Sequence, residues 1–155
     1  MNKYGEFQNP EGYTLIKVRD DHSGLIGTIA IYEFTLDYLE PLTFCYPDGG
    51  KIQPDQHLAE TDLGSVPRWI QPLIPKDRFL LSFLMHDSGY KHHGLYVAGK
   101  GGGKFMFQPM TRQQVDELLR QWVGAEGGNW LQRSLIYRAV RLGGGSPWRQ
   151  ASAKP

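Results

Sequence analysis

Cysteine is nearly absent: Cys45 is the one thiol in 155 residues. A lone thiol makes no intrachain disulfide and no Cys-based zinc site, so the fold has to rest on its own core. Long apolar runs are missing too, and none approaches the roughly 20 residues that a membrane-spanning helix needs. Nor does one sign of charge dominate. The 17 Lys and Arg against 16 Asp and Glu leave a net charge of +1, with no dense basic run. A nucleic-acid partner is therefore not expected. The opening residues, Met1 to Glu6, lack the apolar core of a signal peptide, which predicts a chain made in the cytoplasm and folded without oxidation. What is present is ordinary globular material, 40% hydrophobic and 21% charged. That composition suits one domain over residues 1–147 with a flexible tail over 148–155.

The first half reads as β-structure. Tyr13 to Val18 alternates apolar and polar residues, and Ile26 to Phe34 is rich in β-branched and aromatic side chains. Asp20 to Gly24 between them has turn chemistry, which predicts a hairpin. Leu39 to Tyr46 is a further strand candidate, and Lys51 to Leu58 begins another. From Pro67 the period changes. Pro67 and Arg68 open a short helix that Pro72 and Pro75 interrupt. Lys76 to about His92 is a helix with Phe79, Phe83, His86 and Tyr90 on one face. Gly99 to Lys104 is a loop, either a hairpin turn or a mobile lid, without the Gly-Lys-Ser/Thr ending of a phosphate loop. Thr111 and Gln114 form a capping box for a helix to about Val123, with Val115, Leu118, Leu119 and Trp122 as its stripe. Asn129 caps a last helix, Trp130 to Leu142, ended by Gly143-Gly144-Gly145. Its basic residues read as a solvated face, and Trp69, Trp122, Trp130 and Trp148 as packing residues. The fold class is α+β: a small antiparallel sheet in the N-terminal half followed by three main helices.

Chemistry concentrates at His86-Asp87-Ser88-Gly89-Tyr90, at the end of the apolar segment Phe79 to Met85. Ionisable groups rarely close a core helix unless they hold each other, bind a metal or move protons. On a helix His86 and Tyr90 share a face, whereas Asp87 is turned about 100° away. Asp116 sits at the margin of the stripe of the following helix. If the two helices pack antiparallel, Asp116 accepts a hydrogen bond from His86, fixing its tautomer and leaving the other ring nitrogen as a base. Tyr90 can donate to the same carboxylate. Asp87, with Asp62 and carbonyls near Leu63 in the turn Thr61 to Pro67, supplies the hard oxygens calcium prefers. Gly64 frees that turn to aim an N–H inward.

Those residues carry two resemblances. Thr-Asp-Leu-Gly-Ser followed by His-Asp-x-x-Tyr and a later Asp resembles the calcium loop and helix of secreted phospholipase A2 enzymes. From about Phe34 to Trp148 the chain also resembles a phage and prophage family catalogued as domain of unknown function 1353, with the signature T-D-x-x-S-x-P then H-D-x-x-Y. The lipase resemblance implies His86 as general base, Asp116 as its orienter and Tyr90 as a brace. It also implies calcium on Asp87, Asp62 and the Leu63 carbonyl, and the Gly64 N–H facing the oxyanion. The phage resemblance implies a product of the host cytoplasm that acts on membrane lipid or another envelope ester, or joins other virion proteins.

Plainer alternatives stand beside each assignment. His86-Asp87 can be a structural pair, Asp62 a turn or N-cap residue, and Asp116 a carboxylate favouring the positive end of its helix. His57, His92 and His93 invite a zinc reading, but no His-x-x-x-His or His-Glu pair supports it. As an enzyme the chain is expected to be a calcium-dependent hydrolase. Otherwise it is a virion, tail or assembly component in which the same cluster only joins helices.

Overall fold

The computed structural model describes residues 2–22, 29–56, 74 and 76–152. The fold is α+β, as expected. A five-stranded antiparallel sheet is built from β1 (Glu6–Gln8), β4 (Thr43–Cys45), β5 (Lys51–Gln53), β6 (Gly94–Ala98) and β7 (Met106–Pro109), in the order β1-β4-β5-β6-β7. A separate hairpin pairs β2 (Tyr13–Asp21) with β3 (Ile29–Leu36). The hairpin is present, but the alternation expected over Tyr13 to Val18 is only partial: Phe34 and Leu36 on β3 are buried, while the apolar Ile16 and Val18 on β2 face water. Tyr13 stacks on Phe34 at 5.7 Å and ties the hairpin to the core.

Four helices follow: α1 (Leu80–His92) after a 3-10 turn over Lys76–Phe79, then α2 (Arg112–Ala125), α3 (Trp130–Gly143) and α4 (Gly145–Ser152). Both anticipated capping boxes are present, Thr111 with Gln114 and Asn129 with Gln132. The core gathers Phe44, Ile52, Phe79, Phe83, Leu84, Met85, Leu95, Leu119 and Trp122. Helix α1 is buried on nearly every side, packing on α2, α4 and β6.

Several elements depart from the sequence reading. The strand expected over Leu39 to Tyr46 shrinks to three residues, because Asp37 Oδ1 accepts from the Leu39 and Glu40 amides and makes a turn there. Strands β6 and β7 flank the Gly99 to Lys104 loop, so that loop is a hairpin turn and the sheet draws two strands from beyond α1. Gly94 is required at the start of β6, where a Cβ would collide with the Gln108 carbonyl and the Phe107 ring. The start of the tail expected over 148–155 is helical to Ser152, as the end of α4, and Trp148 stacks flat on His93 at 4.0 Å. Trp130, expected to pack, is 75% exposed at the first position of α3. The short helix at Pro67 and Trp69 lie outside the described residues.

Helix α1 has no side-chain cap of its own at Phe79. Glu126, just past α2, does that job from a distance, accepting from the Ser82 amide at 2.9 Å, the Leu81 amide at 3.3 Å and the Ser82 hydroxyl. Burial raises the Glu126 carboxyl above its ordinary range despite those bonds. The start of α1 thus meets the end of α2. The other ends meet at Gly89, where an added Cβ would stand 2.7 Å from Val115 Cγ1. The two helices are antiparallel and unusually close at that end.

This contact sets the sign of one substitution. In an exposed helix interior, Gly to Ala stabilises by about 0.5–1 kcal/mol. Gly89→Ala should instead lower the melting temperature, because Val115 is β-branched, fully buried and cannot swing aside. A melt that rises would mean that the helices are not locked by this contact.

Candidate active site

The close approach at Gly89 brings Asp116 against the same end of α1. Asp116 is 0% exposed and His86 is 5% exposed. His86 Nε2 lies 2.9 Å from Asp116 Oδ1, and the Tyr90 hydroxyl donates to that same oxygen at 2.6 Å. The other oxygen, Oδ2, accepts from Arg141 Nη1 at 2.8 Å, with Arg112 Nε at 3.7 Å. One buried carboxylate therefore joins α1, α2 and α3. Spacing explains the convergence: Tyr90 follows His86 by one helical turn, and Arg112 precedes Asp116 by one turn on α2.

Electrostatics follow from that geometry. Burial pushes the Asp116 carboxyl up, but bonds from His86, Tyr90 and Arg141 outweigh it and hold the group below its ordinary range. Asp116 is thus an anion, and His86 Nε2 carries the proton that it receives. For His86, burial pulls downward, while Asp116 and Asp87 pull upward and prevail. Burial, then the bond to Asp116, raises the Tyr90 phenol well above its usual value, so it stays a donor. His86 Nδ1 points to the other side, with Asp87 Oδ1 at 3.9 Å and that carboxyl one-fifth exposed.

The structure therefore brings together His86, Asp116 and Tyr90, with Asp87 adjacent. Asp62, Leu63 and Gly64 lie outside the described residues, as does His57. The Asp55 amide donates to Ser88 Oγ at 2.8 Å, so the chain passes directly beside the turn of α1 that carries Asp87. Among the described residues, no three His, Cys, Asp or Glu side chains gather as a metal-binding group.

Sequence reasoning missed Arg141, Arg112 and Glu126. A signal for Arg141 was available: from Gly127 to Ser152 the chain has four arginines and no acidic residue. Any ionic partner within the described fold has to come from an earlier element. Surrounding the pair, Tyr90 meets the edge of Trp148 at 5.1 Å, and a Cβ on Gly144 would collide with its hydroxyl. His93, adjacent to the helix end, donates from Nε2 to the Trp148 carbonyl at 3.1 Å and is half-buried.

The pair makes stability depend on pH with a definite sign. His86 has a folded pKa above its ordinary 6.5, so its contribution is complete below pH 6.5 and disappears as pH rises through the folded value. Asp116 has a folded pKa below 3.8, so its contribution is present above pH 3.8 and disappears as pH falls through the folded value. Thermal melts of wild type minus those of His86→Gln should therefore differ most between pH 3.8 and 6.5 and converge at alkaline pH. A difference that grows above neutrality would contradict the pairing.

A family model described as a protein of unknown function (DUF1353) matches residues 37–140, a span that contains α1 and α2 with His86, Tyr90 and Asp116. No curated protein and no solved structure matches the chain. The chain belongs to the DUF1353 family.

Proposed function

We propose that this chain is a hydrolase of envelope esters, encoded by a phage or prophage, in which His86 activates water. The observation that carries the reading is the division of labour on one imidazole. Nε2 is bound to a buried carboxylate that also receives the Tyr90 hydroxyl, while Nδ1 faces away beside Asp87. That is the arrangement a general base needs, with one nitrogen fixed and the other left for the proton of water. Asp116 holds the tautomer and stabilises the imidazolium formed when Nδ1 takes that proton. Tyr90 and Arg141 hold Asp116 in place, and with Arg112 they keep its negative charge tolerable inside the protein. The same three side chains are those that the phospholipase A2 resemblance implies, which favours a phospholipid ester over a wall component.

Calcium, when bound, would polarise the ester carbonyl and offset developing oxyanion charge. Asp87 would hold it, with Asp62 and the Leu63 carbonyl, while Gly64 would lend its N–H to the oxyanion. The chain's own proton chemistry at His86 requires no rearrangement of Asp116.

One observation favours a second reading, a virion or assembly component in which the cluster only fastens α1 to α2. His86 and Asp116 are almost wholly withdrawn from water. A structural fastening needs no water at Nδ1, whereas a base does.

Hydrolysis of phospholipid vesicles separates the two. His86→Gln should cost about 10²–10⁴-fold in kcat/KM, the usual loss of a general base. The wild-type rate should rise with pH as the imidazole loses its proton, with a midpoint above 6.5. Chelation of calcium should lower the rate, and added calcium should restore it. Equal hydrolysis by wild type and His86→Gln, or none by either with calcium present, would leave the structural reading.

A further inference from the structure

Asp116 has two sides, and the side away from His86 carries more positive charge than it can neutralise. Arg141 and Arg112 both approach its Oδ2. Arg112 Nη2 donates to the Arg141 carbonyl at 2.6 Å, which draws its guanidinium toward the end of α3. A Cβ placed on Gly145 would stand 2.8 Å from Arg112 Nη1 and 3.4 Å from Arg149 Nη1. Both guanidinium groups therefore crowd the backbone at the start of α4. Among the described residues, Arg149 forms no ion pair with a carboxylate.

For Arg112 the crowding runs against ordinary helix electrostatics. Arg112 is the first residue of α2, where the positive end of the helix favours an acidic side chain. The start of α4, ringed by Arg112 and Arg149, likewise has no acidic residue in its first turn. Arg141 and Arg149 lie in the last turns of α3 and α4, where a positive charge is favoured, so the cost falls on Arg112, and an anion beside it would offset that cost.

We propose that Arg112 and Arg149, which meet at Gly145, together with Arg141, which shares Asp116 with Arg112, bind a phosphate group. Guanidinium forks match phosphate oxygens two at a time, and three forks with one shared internal carboxylate leave a surplus for a dianion. Gly145 keeps the approach open, because any side chain there would occupy the space between the forks. The phosphate belongs either to a soluble phosphate ester or to a lipid headgroup. Leu142, 89% exposed beside Arg141, makes the lipid source worth testing. This site does not depend on ester hydrolysis, since it uses the opposite oxygen of Asp116 from His86.

Calorimetry with inorganic phosphate, against chloride at matched ionic strength, tests it. Wild type should bind phosphate and melt at a higher temperature in it. Arg149→Gln, an exposed position, should keep its circular dichroism and weaken phosphate binding about tenfold or more, the loss of one charge-assisted pair. Arg138→Gln, another exposed arginine on α3, should bind as wild type does. Cosedimentation with phosphatidylcholine vesicles, with and without phosphatidic acid, then distinguishes the sources. Binding to the phosphatidic acid vesicles that Arg149→Gln abolishes identifies a headgroup site, and binding of free phosphate alone identifies a soluble ligand. Absence of phosphate binding to wild type, or equal weakening by Arg138→Gln and Arg149→Gln, would overturn the proposal.

Discussion

A carboxylate with no access to water is the constraint on which the helical half of this protein depends. An ion taken into the interior must be compensated by neighbours, and removing one partner of such a pair costs about 3–5 kcal/mol. Asp116 meets that demand with an imidazole, a phenol and two guanidinium groups drawn from α1, α2 and α3. Each donor requires its helix to arrive at a particular angle and depth. Gly89 lets α2 approach α1, Gly144 lets α3 approach Tyr90, and Glu126 anchors the far end of the helix pair. Apolar packing could tolerate small slips between these helices. Hydrogen bonds of 2.6 to 2.9 Å to one carboxylate cannot.

The same constraint divides the site in two. On one side, His86 has a committed nitrogen and an outward one, a polarity imposed by the charge of Asp116. On the other, arginines exceed the charge available to balance them. The chemistry proposed at Nδ1 and the phosphate site proposed at Gly145 are thus two consequences of one buried anion. They differ in what they require. The first needs water to reach an imidazole that is 5% exposed, and the second uses a side chain, Arg149, already at the surface.

Much of this was legible in the sequence, for reasons that can be named. His86, Tyr90 and Asp116 could be placed together because helical periodicity and the Thr111 capping box fix faces within a residue. The β2–β3 hairpin was visible because β3 is dense in β-branched and aromatic residues and alternates from Glu33 to Leu36. Strands β6 and β7 were not, because Gly94 to Ala98 and Met106 to Pro109 are too short to show a period. Helix α4 was hidden by Gly143-Gly144-Gly145, which reads as a terminator but here makes room for Tyr90 and the arginines. Trp130 misled because aromatic bulk usually signals packing, whereas the first position of a helix can leave it in water. Long-range partners such as Arg141 and Glu126 have no local pattern, since their roles are set by elements far away in the chain.

Nitrogen-15 NMR of the His86 imidazole tests the shared carboxylate most directly. The account predicts a neutral ring protonated at Nε2 at alkaline pH, titrating above 6.5 at Nδ1. A ring protonated at Nδ1, or one that titrates below 6.5, would mean that Asp116 does not hold this imidazole as described.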